Sequence, residues 1–372
     1  MAVRAVAGDA APAVRLLDRI VQSRAPLLVA RGTQVVRLPG PADYAAAVAA
    51  CPLRFVLADP LTRVCAALAY AEGDRLAGCL DLVHVPARTL WVEWLDAPRL
   101  EAAESAFGPA AGVAGGDPAR AGVYIETDAS GRRGRSRSFW GPADGDAEVS
   151  LAPLVTDFDL DAEHDAVGSI ADVFAGASAC LTAADAGGAG LLRCLRFRFD
   201  EGWAAYYRSE CATAQIREQV LRASLATVAT DLPLLFALCL LLSSRTRLPE
   251  RRPDLARLNR RRARAGRVAL LDHVELTVPI VSAYSTAAAT DAELRRAPRL
   301  HHVRGHIVRR GSQVYWRVPH LRGRAAFGNL RARSVTLQFE SSGRAPSVAR
   351  RPDGPVAPAR RDHASPLSGG LP

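Results

Sequence analysis

Between Asp231 and Ser244 lies the longest uninterrupted apolar run of the chain, the nine residues Leu234 to Leu242, with Pro233 just ahead of it. Nine residues fall well short of the about 20 that a helix needs to cross a bilayer, so no membrane partner is expected. A helix that is apolar all round has to be enclosed by other elements. The fold must therefore supply a core that surrounds it. The chain has 372 residues, 49% hydrophobic and 23% charged, enough for one large or two ordinary domains. Residues 1 to 12 lack the apolar core of a signal peptide.

Around this helix the periodicities predict an α+β fold of mixed helices and short antiparallel strands and hairpins, with a disordered C-terminal tail. Val14, Leu17, Ile20 and Val21 share one helical face over residues 12 to 23. A hairpin follows, 27 to 30 and 34 to 38, with its turn at Arg31-Gly32-Thr33. Further helices are expected over 45–50, 61–71, 203–229 and 232–244, and strands over 55–57, 79–85, 90–95, 123–126 and 191–199. Glu93 sits between Trp91 and Trp94; a half-buried edge strand accounts for it better than a functional acid. Residues 107–122 are rich in Gly, Ala and Pro and predict a loop. Residues 141–150 predict a linker between an N-terminal α/β region (1–140) and a second half (151–340), in which a helical segment precedes an arginine-rich helix and a β-hairpin. The tail, 341–372, is Pro/Ser/Arg/Gly-rich.

The formal net charge is +10, and all 48 basic residues are arginine. One Met and two Asn, beside abundant Ala, Arg, Gly and Pro, are the bias of a GC-rich coding sequence. Local clustering of arginine is therefore more informative than the global charge. With no lysine, a Walker-type ATPase and a Schiff-base enzyme are excluded, and the common nucleotide, zinc-protease and serine-hydrolase signatures are absent. No cofactor is expected. Seven scattered cysteines without a C-x-x-C predict reduced, mostly buried thiols in a cytosol.

Arginine clusters in three places. Pro253 suits a first helical position and Gly266 the position past a helix C-terminus. Between them Arg257, Arg260, Arg261, Arg264 and Arg267 fall within an arc of about 120°, opposite Leu255 and Leu258. Such a face can lay guanidinium forks along phosphates. A strand is expected over 270–278, then a hairpin, His302 to Val308 and Val314 to Val318, turning at Arg310-Gly311-Ser312. On a continuous strand His302, Arg304 and His306 share a face, with Arg317 on the return strand and His320 and Arg322 at the exit. Gly305 leaves room for another backbone or a ligand. The third cluster is Ser130 to Ser138, four arginines followed by Phe139-Trp140. It fits a solvated loop better than a single-strand binding arm. Asp157, Asp159 and Asp161 open like a calcium loop, but Ala162 and Gly168 stand where Gly and Glu are needed.

The set Leu258-Asn259-Arg260-x-Arg262, Leu270-Leu271-Asp272-His273, H-x-V-R-G-H-x-V-R-R from His301, and W-x-x-P-H-x-R-G from Trp316 resembles an uncharacterised family met in bacteriophage and prophage genomes. Leu90-Trp91-Val92-Glu93-Trp94 is similar to that family's W-x-E-W element. The resemblance implies a mobile-element setting, with the cytoplasm of a bacterial host as location, and no mechanism.

Three functional classes follow. In the first, the protein is a non-catalytic binder of DNA or RNA, with Arg257, Arg260, Arg261, Arg264, Arg267, Arg304, Arg317 and Arg322 on phosphates. In the second, it is a metal-independent ribonuclease or phosphodiesterase in which His302, His306 and His320 act as acid and base. In the third, it is a structural or assembly protein whose His/Arg hairpin only cements the fold. A metal site on those histidines with Asp272 or His273 is disfavoured, because residues four apart on a strand lie about 13 Å apart. Nothing in the sequence specifies an oligomeric state.

Overall fold

The computed structural model describes residues 15–31, 33–107, 119–142, 148–163, 193–278, 299–303, 305–317, 320–322 and 324–329. The expected tail, 341–372, lies outside them. In chain order the elements are α1 (Leu16–Gln22), β1 (Leu27–Arg31), β2 (Gln34–Leu38), α2 (Pro41–Ala50), β3 (Leu53–Leu57), α3 (Asp59–Tyr70), α4 (Gly73–Ala77), a 3-10 turn (Leu80–Leu82), β4 (Thr89–Leu95), α5 (Ala97–Phe107), β5 (Ala119–Thr127), β6 (Arg133–Pro142) and β7 (Ser150–Asp159). Then come β8 (Leu195–Phe199), α6 (Glu201–Glu210), α7 (Ala214–Val228), α8 (Asp231–Ser243), β9 (Glu250–Arg251), α9 (Ala256–Arg264) and β10 (Val274–Leu276). The last are β11 (Arg299–Val303), β12 (His306–Arg310), β13 (Gln313–Arg317), β14 (His320–Arg322) and β15 (Arg324–Asn329).

The fold is α+β, organised by one eight-stranded sheet of order β8-β7-β6-β5-β4-β3-β10-β9. β3 runs parallel to β4 and β10; the remaining pairs are antiparallel. Alternation along β4 assigns the two faces. Leu90, Val92 and Trp94 join the larger core with α3 and α8, while Trp91 joins the smaller one with Leu16, Leu17 and Ile20 of α1. The apolar run forms α8, in which every residue from Asp231 to Leu241 is buried. No helix of the described residues is long and apolar enough to cross a membrane.

β6 and β7 pair from Arg133 opposite Asp159 to Trp140 opposite Ser150, so one sheet holds strands from both sides of the expected 141–150 linker, whose residues 143–147 lie outside the described ones. Three further expectations are corrected. The helix expected over 203–229 is two helices, because Thr213 accepts the Ile216 N–H (3.3 Å) and starts a new one while Arg217 Nε donates to the Cys211 carbonyl (3.0 Å). The strand expected over 79–85 is a 3-10 turn: the carbonyls of Leu80, Asp81 and Val83 converge on Arg132 Nη1 (3.0, 3.2 and 2.8 Å) instead of on a neighbouring strand. β4 is not an edge strand, and Glu93 upon it is fully buried.

The stretch Ser130 to Ser138 is not a loop. Gly131 turns at φ +69°, where a Cβ would collide with the Val85 carbonyl oxygen, and β6 begins at Arg133. Its four arginines all end on carboxylates: Arg132 on Asp161 (2.7 Å), Arg133 on Asp159 (3.2 Å), Arg135 on Glu126 (2.6 Å) and Arg137 on Asp200 (3.1 Å). With Arg198 on Asp157 (2.6 Å), this ladder also neutralises the whole D-x-D-x-D stretch. Cross-strand charge pairs of this kind set register.

Two acids pay for burial in their titration. Asp231 receives Ser138 Oγ–H (2.6 Å) and faces Arg99 (3.6 Å), yet desolvation pushes its carboxyl up to about 6. Desolvation likewise raises Asp18 to about 6 against the opposing Leu271 N–H. Between the ordinary 3.8 and about 6 the folded chain holds a proton at Asp231 that the unfolded chain has lost. This group therefore lowers stability as pH rises through that window. Asp231→Asn is expected to gain stability relative to the parent chain on going from below pH 4 to pH 7. Urea midpoints across that range check it; a difference independent of pH contradicts it.

Candidate nucleic-acid interface

α9 is amphipathic in charge. Leu255 is buried at its start and Leu258 half-buried. Its end is a glycine-capped turn in which Gly266 has φ +65°, the Arg267 N–H reaches the Arg262 carbonyl (2.9 Å) and the Gly266 N–H reaches Ala263 (3.0 Å). Arg261, Arg262 and Arg264 lie in the last turn, where the helix dipole favours cations. The expected strand over 270–278 shortens to Val274–Leu276, since the preceding residues bond to side chains instead of to a strand.

Those bonds fix α9 to the core. Asn259 exchanges two hydrogen bonds with Leu270, Nδ2 to its carbonyl (3.0 Å) and Oδ1 from its N–H (2.8 Å). Arg262 Nε donates to Val268 (2.8 Å), Arg54 Nε donates to the Asp272 carbonyl (2.7 Å), and Asp18 accepts the Leu271 N–H (2.8 Å). Asp18 belongs to α1, whose first N–H groups, of Leu16 and Leu17, are received by Glu93 at 3.3 and 2.9 Å. Glu93 also accepts from Trp91 Nε1 and Arg120 Nη1, each at 3.2 Å. A chain of bonds thus runs from the centre of the sheet through α1 to α9. Glu275 accepts from Arg15 (2.5 Å) and Arg251 (2.6 Å), and these partners outweigh burial and hold its carboxyl below the usual range. Asn259→Ala breaks the two-bond link and is expected to cost about 1–3 kcal/mol. Hydrogen exchange of the Leu270 amide should accelerate in that variant, and unchanged exchange contradicts the role given to Asn259.

The outer face of α9 is different from every arginine of the β-ladder. Arg257, Arg260, Arg261, Arg264 and Arg267 are exposed. Among the described residues, none of these five guanidinium groups has an acidic or hydrogen-bonding partner.

The histidine hairpin is placed elsewhere. Strand pairing stops at Val303 and restarts at His306, so His302 and His306 lie on different strands of different sheets. The single continuous strand expected from His302 to Val308 is thereby corrected. β11 pairs with β14, which sets His302 opposite Leu321, His320 opposite Val303 and Arg322 opposite His301. Arg304 lies outside the described residues. β12 and β13 form the expected turn at Gly311, φ +60°, with half-buried His306 opposite exposed Arg317. Their inner side, Ile307, Val314 and Trp316, belongs to the α8 core. The Arg245 N–H on Val314 (3.2 Å), Thr246 Oγ1 on Trp316 (2.9 Å) and Arg309 on Asp81 (2.7 Å) hold the hairpin there. Leu271, which carries α9, packs into the α1 core on the opposite face of the sheet. The arginine helix and the hairpin therefore do not share an anchoring layer.

Other chemistry is limited among the described residues. No three His, Cys, Asp or Glu side chains are grouped to hold a metal ion. Buried His273 keeps Nδ1 on the Leu271 carbonyl (3.1 Å). Six cysteines are buried and in no disulfide; burial pushes Cys51 up to about 11 and Cys194 and Cys239 up to about 12, far from a reactive thiolate. The signal that sequence reasoning missed was Glu93, whose flanking indoles belong to a central strand. Comparison with protein-family models, with curated proteins and with solved structures finds no match.

Proposed function

We propose that the protein binds nucleic acid without catalysis, in the bacteriophage or prophage setting that its sequence signature implies, and that α9 is the surface that meets phosphates. The observation that supports this most is a set of five exposed guanidinium groups without a partner among the described residues, four on α9 and that of Arg267 just past its Gly266 turn, on a helix tied through Asn259 to Leu270 and through Leu271 to Asp18. A fold that ends so many other arginines on carboxylates leaves this set open. Guanidinium forks match phosphate oxygens with paired donors, and a fixed helix loses little entropy in presenting them. The contacts would be to the backbone, which positions a protein on DNA or RNA without reading sequence.

Acid–base cleavage has less support. It needs two imidazoles on one phosphate, whereas His302 and His306 sit on strands of separate sheets.

The test uses the full chain with labelled single- and double-stranded DNA and RNA, at low and high salt, with and without EDTA. Binding that collapses with salt while the probes stay intact is the expected result. Absence of binding at every salt concentration overturns the proposal. Cleavage that survives EDTA overturns its non-catalytic part in favour of the histidines.

A further inference from the structure

On the α1 side of the sheet, residues of β5 to β8 form one wall of a cleft. Over it, the end of β2 and the start of α2 form a second wall, and the start of α6 a third. The cleft between them has a volume of about 680 Å³. That volume is in the range of small-molecule sites. Four guanidinium groups line it, those of Arg37, Arg135, Arg137 and Arg198, and each faces one carboxylate, Asp43, Glu126, Asp200 and, at the rim, Asp157.

Arg137 is the unusual member. Its side chain is 4% exposed, and β6 sets it on the cleft side opposite Val155. Tyr44 lies against it, 5.2 Å from the guanidinium carbon to the ring centroid. Its Nη2 is 3.1 Å from Asp200 Oδ2, a charge contact. That contact lacks the alignment of a hydrogen bond, and Nε, Nη1 and Nη2 are all buried without an acceptor. Asp200 is turned elsewhere, its Oδ1 receiving the Gly202 N–H at the start of α6 (3.2 Å). Buried donors in folded proteins are almost always satisfied, and a guanidinium brings five. The nearest space for an acceptor is the cleft.

We infer that this cleft binds a small molecule through an oxyanion, phosphate or carboxylate, that accepts hydrogen bonds from Arg137 and Arg198. Arg198 is held at the rim by Asp157, with one bond at 2.6 Å and a longer one at 3.4 Å. Tyr44 offers a ring face for the body of the ligand once it shifts from the guanidinium. Glu126 and Asp200 offer acceptors to its hydroxyl or amino groups. The site is independent of the α9 surface.

The experiment titrates the full chain calorimetrically, in a buffer free of oxyanions, with inorganic phosphate, adenosine 5′-monophosphate and citrate to millimolar concentration. Expected is saturable binding of at least one probe at one per chain. Phosphate and adenosine monophosphate point to a phosphate ester, and citrate alone to a carboxylate. Arg198→Gln and Arg137→Gln should each weaken that binding at least about tenfold. Arg198 is partly exposed, so its variant keeps the test valid if the buried one fails to fold. Arg257, Arg260, Arg261 and Arg264 changed together to Gln should leave it intact. No saturable binding of any probe overturns the inference. So does binding that Arg198→Gln leaves unchanged, or that the α9 variant abolishes.

Discussion

Glu93→Ala is expected to lower the unfolding free energy by about 4 kcal/mol, the cost of removing one partner from a buried ion pair. The carboxylate is fully buried and accepts four donors, from Leu16, Leu17, Trp91 and Arg120. Its loss strands the first turn of α1 and takes from Arg120 its carboxylate in a site that water does not reach. A typical domain has only about 5–15 kcal/mol to lose, so the variant should unfold at much lower urea. Glu93→Gln keeps the shape and one acceptor oxygen, and should fall between the two. The bond chain from Glu93 through Asp18 to Leu271 adds a second consequence: α9 should loosen along with α1. An alanine variant within about 1 kcal/mol of the parent would contradict the assignment.

Much of the local structure was legible because it depends on local signals. Gly266 ends α9, although the helix begins at Ala256 and not at Pro253, Gly311 turns the β12–β13 hairpin, and the unbroken apolar run becomes the enclosed α8. What was not legible depends on partners distant in sequence. The arginines of Ser130 to Ser138 look like a solvated loop until Glu126, Asp159, Asp161 and Asp200 from other elements are set beside them. Glu93 looks like an edge acid until α1, 76 residues away, presents its N–H groups. Pairing of β11 with β14 rather than with β13 separates His302 from His306, and no period-2 pattern contains that choice. The cleft beside Arg137 is built from five strands and two helices, so no short motif announces it.

Changing Arg257, Arg260, Arg261 and Arg264 together to Gln is expected to weaken nucleic-acid binding at low salt by about a hundredfold or more, equally for all sequences. Stability should hardly change, since these side chains are exposed and have no partner among the described residues, and surface substitutions away from special features are usually within about 0.5 kcal/mol. The contrast separates the α9 surface from the ladder: Arg133→Gln and Arg135→Gln, whose charges are already answered by Asp159 and Glu126, should leave binding within a few-fold of the parent. A quadruple variant that binds normally, or one that fails only because it unfolds, contradicts the assignment.

The most direct measurement is the slope of log affinity against log salt concentration for the parent chain and the quadruple α9 variant on one duplex. Each phosphate contact contributes about −0.9 to that slope. The parent is expected to show a steep slope that becomes shallower by about 0.9 for each contact removed. Equal slopes for the two proteins, at whatever affinity, would place the phosphate contacts somewhere other than α9.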